Sequence, residues 1–341
     1  MNFASIEEIF EAFDTLRVLI IGDVMVDSYL WGKVDRISPE APVPIVHVHK
    51  RETRLGGAGN VVMNVHALGA TPVICSVVGK DDDAKILLQL LKNLDIDTSG
   101  IITSASRITT IKHRILAGSQ HILRMDSEND HPLDLEEEKI LINKIKEILP
   151  TCHVVIFEDY DKGTLTENII QATVALANQH HIPTIVDPKK RNFLKYKKAS
   201  LFKPNLKELR EGLKVDVNAD DMQELEDAVE LLKEKLDVKG VLLTLSERGV
   251  YINYENRKKL LPAHAREISD VSGAGDTVTA VAAASLALDL EPTFTAALSN
   301  LSGGLVCEHV GVVPIDKKRL LEEAKKENLF QIHLQKEASK L

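Results

Sequence analysis

The sequence predicts an α/β fold, with a mostly parallel β-sheet covered by helices on both faces and a smaller accessory sheet. Short apolar segments rich in β-branched residues alternate with longer segments of helical period. Such alternation is typical of parallel sheets, whose crossovers carry helices. Two segments, residues 28–50 and 103–125, are rich in β-branched and polar residues and lack a helical period. They predict the strands of the accessory sheet.

The individual elements follow from these patterns in chain order. The strands are short runs dominated by Val, Ile and Leu, predicted at residues 17–21, 45–49, 73–78, 154–157, 184–187 and 241–245. Longer segments, in which apolar residues recur every three or four positions, predict helices at residues 59–68, 83–93, 135–149, 166–179, 221–236, 274–288 and 293–309. No internal repeat or flexible linker interrupts the chain, and its length fits either one large α/β domain with an appendage or two domains.

Composition excludes several classes of function. The net charge of the 341 residues is −9 and no long Lys/Arg block occurs, so a nucleic-acid partner is not expected. No apolar run is long enough to span a membrane, and no signal peptide opens the chain. The three cysteines, Cys75, Cys152 and Cys307, lie far apart in apolar runs, as in a reduced protein. These features predict a cytoplasmic location.

The most informative stretch is residues 270–276, Asp-Val-Ser-Gly-Ala-Gly-Asp, which leads directly into an alanine-rich helix. The small residues Gly273, Ala274 and Gly275 allow a ligand to approach the backbone, and the first-turn amides of a helix have no intrahelical acceptor. The stretch therefore predicts an anion site. Asp276 places a carboxylate beside it, which fits a base that accepts a hydroxyl proton while the amides stabilise a migrating phosphoryl group.

Further carboxylates follow the predicted strands, where parallel-sheet enzymes keep their chemistry. They are Asp23, Asp27, Glu158, Asp159 and Asp187. A strand-end carboxylate can simply cap a helix or shape a turn, but its repetition at several strand ends favours a shared site.

Two further motifs admit both a structural and a functional interpretation. Residues 56–60, Gly-Gly-Ala-Gly-Asn, form either a tight turn into a helix or a backbone that contacts a sugar, with Asn60 bonded to a hydroxyl. Asn205 and Glu208 form either a capping box or a hold on phosphates and on Mg²⁺ through water. Walker A, protein-kinase and nucleophile-elbow motifs are absent, and the twelve histidines lack zinc-site spacing.

Taken in this order and spacing, the three motifs at residues 56–60, 205–208 and 270–276 resemble those of the ribokinase-like (PfkB) carbohydrate kinase family over residues 17–314. The resemblance implies a single kinase domain of residues 1–341, a three-layer α/β/α sandwich with a small β-sheet lid. It also implies ATP and Mg²⁺ as cofactors and a sugar as substrate. It implies that Asp276 is the base, that the amides of residues 273–275 form the anion hole, and that Asp23, Asp27, Gly56, Gly57 and Asn60 bind the sugar. It places the nucleotide near Ser246 and Gly249, whereas Asp187 and Lys189 are candidates for holding its phosphates.

Within that family, residues 22–27, 38–44, 55–61 and 112–126 resemble the kinases of D-glycero-β-D-manno-heptose 7-phosphate. The resemblance implies phosphorylation of the C1 hydroxyl to a 1,7-bisphosphate used in lipopolysaccharide inner-core synthesis. Such kinases are often fused to a nucleotidyltransferase, whereas this chain is expected to act alone. A kinase for another sugar, and a non-catalytic sugar-binding relative, are the alternatives.

A sugar 7-phosphate needs local positive charge, because the chain as a whole is acidic. Lys112, Arg114 and Arg124 of the lid are the candidates, although the first two could share a solvent-facing side of a strand with no specific role. By resemblance, Asp270 is a candidate for binding K⁺, with a brace for the turn as the alternative. Glu158 and Asp159 are further candidates for substrate contacts. Lid strands of the family often pair between subunits, which predicts a homodimer.

Overall fold

The computed structural model describes residues 3–118, 120–264 and 266–338, and within them the strands form a nine-stranded and a four-stranded sheet. The strands are β1 Arg17–Gly22, β2 Val24–Ile37, β3 Pro44–Gly57, β4 Thr71–Val78, β5 Ile101–Thr103, β6 Thr110–Ala117, β7 Gln120–Ser127, β8 Val154–Glu158, β9 Thr184–Asp187, β10 Leu201–Phe202, β11 Gly240–Thr244, β12 Val250–Tyr254 and β13 Arg257–Leu261. The helices are α1 Ile6–Phe13, α2 Ala58–Ala67, α3 Asp82–Lys92, α4 Leu135–Ile148, α5 Glu167–Gln179, α6 Leu206–Leu213, α7 Met222–Leu236, α8 Ala274–Ala287, α9 Pro292–Val306, α10 Lys317–Lys326 and α11 Phe330–Ala338.

The large sheet has the strand order β13-β12-β11-β10-β9-β8-β1-β4-β5. All pairs from β11 to β5 are parallel, and only the β11–β12 and β12–β13 pairs are antiparallel. The carboxyl ends of the parallel strands therefore meet at one edge, where loops from different parts of the chain converge.

Alternate residues of the central strand β1 belong to different cores. Val18 and Ile20 pack with the helices α1, α2, α3, α8, α9 and α10, whereas Leu19 and Ile21 pack with α4, α5, α6 and α7. Since successive side chains of a strand point to opposite faces, the helices cover both sides of the sheet. The predicted α/β class is confirmed.

The small sheet, which we call the lid, has the order β3-β2-β6-β7. Its strand β2 starts at Val24, and only Asp23 separates it from the end of β1. Strands β2 and β3 form a long antiparallel hairpin, and β6 pairs with β2 in parallel. The lid thus begins at the edge of the large sheet where the parallel strands have their carboxyl ends. The ends of the lid strands nearest β1 lie close to that edge.

The lid differs in extent from the predicted segments at residues 28–50 and 103–125. The first hairpin reaches from Val24 to Gly57, and Ile101–Thr103 pairs with β4 in the large sheet instead of the lid. The sequence analysis also missed the hairpin β12–β13, the two-residue strand β10 and the helices α10 and α11. Strand β10 has only two residues, and β13 and α10 are rich in charged residues.

Helix α8 is buried on nearly all sides, with every residue from Asp276 to Ser285 buried. Its small side chains allow it to lie between the sheet and its neighbours α2 and α9. This packing fixes the helix start, and therefore the position of Asp276, relative to the strand ends.

Candidate active site

A cluster of polar side chains lies where strands β8 and β9 end and helix α8 begins. Glu158 ends β8, Asp187 ends β9, and Asp276 stands in the first turn of α8. One carboxylate oxygen from each of the three lies within 4.8 Å of the others, and all three residues are buried. Residues that are 29 to 118 positions apart in the sequence therefore form one site.

Asp276 is held by two donors from separate elements. The Asn60 amide donates to its Oδ2 at 2.6 Å, and the Tyr160 hydroxyl donates to its Oδ1 at 2.9 Å. Gly273 precedes the helix with φ of +80°, and a Cβ there would lie 2.7 Å from Asn60 Nδ2. Only glycine therefore allows this approach of the turn to Asn60.

Burial governs the electrostatics of this cluster. It raises the pKa of Asp276 to about 6, and the charge of Asp187 adds to the rise, against the two hydrogen bonds. Burial and the charges of Asp187 and Asp276 hold the pKa of Glu158 well above its usual range. Lys203 pairs with Asp187 at 2.9 Å, with both side chains almost fully buried. A carboxyl with a pKa of about 6 is suited to accept a proton at neutral pH.

The turn that precedes α8 brings backbone N–H groups close to the carboxylate of Asp276. Asp270 accepts hydrogen bonds from the amide and hydroxyl of Ser272 at 3.0 and 2.8 Å, and from the Gly311 amide at 2.9 Å. The amide of Ala274 already donates to the Val271 carbonyl at 3.3 Å. Of the three amides predicted to form the anion hole, Ala274 is thus partly engaged within the turn.

The glycine motif lies where the lid meets α2. A Cβ at Gly56 would lie 2.6 Å from Asp27 Oδ2, and Gly57, with φ of +56°, caps α2. Arg114 of β6 forms an ion pair with Asp27, and its guanidinium lies 5.4 Å from the centre of the Tyr29 ring. Gly56, Gly57, Asp27 and Arg114 are therefore neighbours, and their binding of a sugar stays a prediction.

The buried carboxylates of Asp23 and Asp159 hold the loop that follows β8. Asp23 accepts hydrogen bonds from the amides of Tyr160, Lys162 and Thr164 at 2.9–3.0 Å. Asp159 accepts from the Tyr196 hydroxyl at 2.6 Å and the Asn192 amide at 3.1 Å. Both carboxylates shape the segment that places Tyr160 beside Asp276.

Asn205 and Glu208 form a reciprocal capping box at the start of α6, with both hydrogen bonds at 2.9 Å. Glu208 also pairs with Lys189 at 2.8 Å, and Lys189 lies 5.3 Å from the centre of the Tyr160 ring. The structural interpretation of this motif is therefore confirmed. Lys189 connects the motif to Tyr160, whose hydroxyl bonds to Asp276 of the carboxylate cluster.

Ser246 and Gly249 lie in a short 3₁₀ turn after β11, at the same edge of the sheet, and both have positive φ. The Asn205 backbone forms an isolated bridge with Thr244, at the end of β11. The turn and the start of α6 therefore adjoin. The arrangement as a whole combines a buried carboxylate, a helix start that can bind an anion, the glycine motif beside the lid and a second set of loops at the strand ends.

The model of the pfkB family carbohydrate kinases matches residues 15–318 of this chain. The chain belongs to this family. It is therefore a carbohydrate kinase, and the family predicted from the three motifs is confirmed.

The carbohydrate kinase is also similar to curated proteins called "Bifunctional protein HldE". It is 37% identical to the one from Syntrophotalea carbinolica over 323 residues, covering 94% of this chain and 66% of the relative. It is 41% identical to the one from Aliarcobacter butzleri over 295 residues, covering 86% of this chain and 61% of the relative. The chain thus spans less than two thirds of the length of these relatives.

Among solved structures, the kinase resembles phosphofructokinase-2 from Escherichia coli in complex with potassium. The TM-score is 0.76 at 16% identity, covering 91% of this chain and 99% of the other. Arabidopsis thaliana ribokinase complexed with ribose and ATP gives a TM-score of 0.69 at 15% identity, covering 90% and 98% of the two chains. These similarities confirm the predicted ribokinase-like fold with its lid.

Two of the basic residues considered for the substrate phosphate are engaged by carboxylates of the lid. Lys112 lies 3.0 Å from both Asp126 and Glu128, and Arg124, which is 62% exposed, lies 3.1 Å from Asp126. Arg114 is the candidate that lies beside the glycine motif, where it pairs with Asp27.

Sequence reasoning missed Tyr160 and Lys203 as members of the site. Tyr160 follows the strand-end pair at residues 158–159, and Lys203 follows β10, a strand of only two residues. A signal existed for Tyr160, because it directly follows two candidate carboxylates. Lys203 carried none, since its strand was too short to predict.

No helix in the described part of the kinase combines the length and the apolar character needed to cross a membrane.

Proposed function

We propose that this carbohydrate kinase transfers the γ-phosphoryl group of ATP to the C1 hydroxyl of D-glycero-β-D-manno-heptose 7-phosphate. The observation that carries the proposal is Asp276, a buried carboxylate fixed by Asn60 and Tyr160 at the start of a helix. The lid and glycine motifs, and the similarity to HldE proteins, support the heptose substrate. The product is a 1,7-bisphosphate for lipopolysaccharide inner-core synthesis.

In the proposed reaction, Asp276 accepts the proton of the C1 hydroxyl as its oxygen bonds to the γ-phosphorus. The bond from that phosphorus to the bridging oxygen of ADP breaks. The backbone amides of Gly273 and Gly275 stabilise the charge on the transferred group, with Ala274 as a weaker donor. Lys203 balances the charge of Asp187 beside them.

The sugar lies in the cleft between the lid and α2. The backbone of Gly56 and Gly57 contacts it closely, and Asp27 and Asn60 bind its hydroxyls. Arg114 contributes positive charge for the 7-phosphate. Asp23 and Asp159 act through the loop that they brace. The lid excludes water from the phosphoryl donor.

ATP is assigned to the other side of the site, near Ser246, Gly249 and the start of α6. Lys189 is suited to its phosphates, since it lies between Glu208 and the Tyr160 ring. The carboxylate oxygens of Glu158 and Asp187 suit Mg²⁺, which prefers carboxylates and water, and Glu208 would hold it through water. When bound with the nucleotide, Mg²⁺ screens the charge of the phosphates.

K⁺ activation through Asp270 stays a prediction. The three hydrogen bonds that Asp270 accepts support the alternative, in which it braces the turn. Equal rates in K⁺ and in a bulky organic cation, at fixed ionic strength, would show that Asp270 only braces the turn.

We also propose a cytoplasmic homodimer that pairs through the lid. Large apolar side chains are exposed on the lid strands, where a partner lid would cover them: Val34, Ile37, Val48, Leu123 and Met125. Light scattering of wild type and of Leu123→Glu tests this, and a monomeric wild type would contradict it.

A substrate panel with ATP tests the proposed function. ADP release is measured with heptose 7-phosphate, free heptose, fructose 6-phosphate, fructose and ribose. We expect the highest kcat/KM with heptose 7-phosphate. A preference for another sugar would establish a different substrate within the same family, and no turnover with any sugar would favour a non-catalytic relative.

A further inference from the structure

A lysine from the body of the molecule contacts the lid. Lys162 lies in the loop after β8, two residues after Tyr160, and its Nζ atom is 2.7 Å from Glu128. Glu128 directly follows the lid strand β7, and it also contacts Lys112 of β6 at 3.0 Å. One carboxylate of the lid therefore lies between two lysines, one from the lid itself and one from the loop that carries Tyr160.

This contact brings the ammonium group of Lys162 to the lid face that carries Arg114. Lys112 stands opposite Asp27 in the register of β2 and β6, and Arg114 follows two residues later on the same face. The ion pair between Arg114 and Asp27 lies on this face as well. Since Glu128 joins Lys162 to Lys112, Arg114 and Lys162 both reach this face, one from the lid and one from the loop after β8.

Lys162 has a fixed backbone and a side chain with donors to spare. Its amide donates to Asp23 at 3.0 Å, and its carbonyl accepts a hydrogen bond from Arg107. The ammonium group has three N–H donors, and among the described residues Glu128 is the one that accepts from it. Lys112, in comparison, already donates to two carboxylates. The side chain of Lys162 is 19% exposed, so a small anion can reach it.

A phosphate is the ligand that suits two such cations. The carboxylates of Asp27 and Glu128 each carry one negative charge, whereas a phosphate monoester carries nearly two and has three acceptor oxygens. One phosphate can therefore contact Arg114 and Lys162 together, through charge-assisted hydrogen bonds. The flexible stem of a lysine lets its ammonium group turn toward such a ligand. A sugar without a phosphate offers no such group, so these contacts distinguish the two kinds of sugar.

We propose that Lys162 is a specificity-determining residue, which binds the distal phosphate of the substrate together with Arg114. The inference rests on the proposed function, because the phosphate belongs to the proposed sugar. The phosphate joins a residue of the lid to a residue of the body, so its binding holds the lid against the loop that carries Tyr160. A sugar phosphate thereby closes the site more completely than a free sugar does.

The ratio of kcat/KM for heptose 7-phosphate to kcat/KM for free heptose tests this role. Lys162→Met should lower the ratio by about tenfold or more, because only the phosphorylated sugar loses a charged contact. Lys162→Arg keeps the charge and should retain most of the ratio. Lys233→Met is the matched control and should leave the ratio unchanged. Lys233 is also largely buried, but it donates to Asn253 at 2.7 Å, beside the start of β11.

Two outcomes of this comparison would overturn the proposal. One is a ratio in Lys162→Met that equals the wild-type ratio. The other is an equal loss of kcat/KM with both sugars, which would show that Lys162 only positions the loop that carries Tyr160.

A second measurement needs neither a variant nor turnover. Lysines are acetylated with a limiting amount of N-acetoxysuccinimide, and the modification of each lysine is quantified by mass spectrometry. Heptose 7-phosphate should protect Lys162, and free heptose at the same concentration should protect it much less, whereas Lys233 should react equally in both. Equal reactivity of Lys162 with and without heptose 7-phosphate would contradict the proposed contact.

The substrate panel separates a failure of this role from a failure of the proposed function. If the panel selects another sugar phosphate, the proposed function fails, and both measurements are made with that sugar and its phosphate-free form. A role of Lys162 would then show in the same ratio and the same protection. A preference for a sugar without a phosphate would contradict both the proposed function and the role of Lys162.

Discussion

Asp276 owes its properties to contacts from three separate parts of the chain. Asn60 and Tyr160 orient its two oxygens, and Asp187 adds a nearby negative charge. A base must be correctly oriented, and its pKa must lie close to neutral pH. Burial raises the pKa of Asp276 toward that range. The sequence motif predicted the carboxylate, whereas the Tyr160 contact depends on how the loop after β8 folds.

The pH dependence of kcat follows from the hydrogen bond of Tyr160 to Asp276. Because the pKa of Asp276 is about 6, kcat should fall as the pH drops through that value and the base becomes protonated. The hydroxyl of Tyr160 stabilises the carboxylate form, so its removal raises the pKa of Asp276. In Tyr160→Phe, the acidic limb of the kcat–pH profile should therefore move to higher pH. A limb that stays in place or moves to lower pH would contradict this role.

Arg114 and Lys112 should differ in their effect on substrate binding. Lys112 is already paired with two carboxylates, whereas Arg114 pairs with Asp27 in the cleft. Arg114→Ala should raise KM for heptose 7-phosphate by about tenfold or more, because a charged hydrogen bond is worth about 1.5–3 kcal/mol. Lys112→Ala is the matched comparison and should change KM less, and KM for ATP should stay constant in both. Equal effects of the two substitutions would refute Arg114 as the phosphate contact.

Among the secondary-structure elements, the first turns of two helices contribute much of the candidate site. Helix α8 begins with Gly273 and the candidate base, and α6 begins with the capping box of Asn205 and Glu208. The sequence analysis predicted the start of α8 and gave the capping box as one of two interpretations of Asn205 and Glu208, because capping residues and glycines give local signals. It could not predict Lys203 or the ion pair with Asp187, since these depend on pairing between strands distant in sequence.

The capping box predicts a stability effect at the start of α6. Asn205→Ala should lower the free energy of unfolding by about 0.5–2 kcal/mol, because the Glu208 amide loses its acceptor. Urea unfolding followed by circular dichroism measures the loss. Asn205→Asp, which can still accept that hydrogen bond, should retain most of the stability. If Asn205→Ala were as stable as wild type, the cap would contribute nothing.

Across the whole molecule, one side chain joins the lid to the loop after α9, and that loop contacts the turn that precedes α8. Arg54 of β3 donates to the Val312 carbonyl at 2.8 Å and lies 5.0 Å from the centre of the Tyr29 ring. The neighbouring Gly311 amide binds Asp270. The lid was predictable from its β-branched segments, but this contact was not, because it joins residues 258 positions apart. That the chain forms a single domain stays a prediction.

Removing the contact between Arg54 and Val312 should separate the lid from the anion-hole turn. Arg54→Ala should lower kcat by about tenfold or more, since small displacements of catalytic groups are costly. Hydrogen exchange should rise in residues 309–313 and 270–275. Arg51, exposed on the same strand, is the matched control, and Arg51→Ala should change neither quantity. Faster exchange confined to the lid would show that Arg54 stabilises the lid alone.

The central claim is that Asp276 is the base of a sugar kinase, and its substitution by Asn tests this most directly. The measurement is kcat for ADP release at pH 7.5 with ATP and the sugar that wild type prefers. Thermal unfolding and ATP binding serve as controls, because Asn retains the size of Asp. We expect Asp276→Asn to lower kcat by about 10²–10⁴, the usual contribution of a general base, with both controls nearly unchanged. Turnover close to that of wild type in a folded, ATP-binding Asp276→Asn variant would contradict the account.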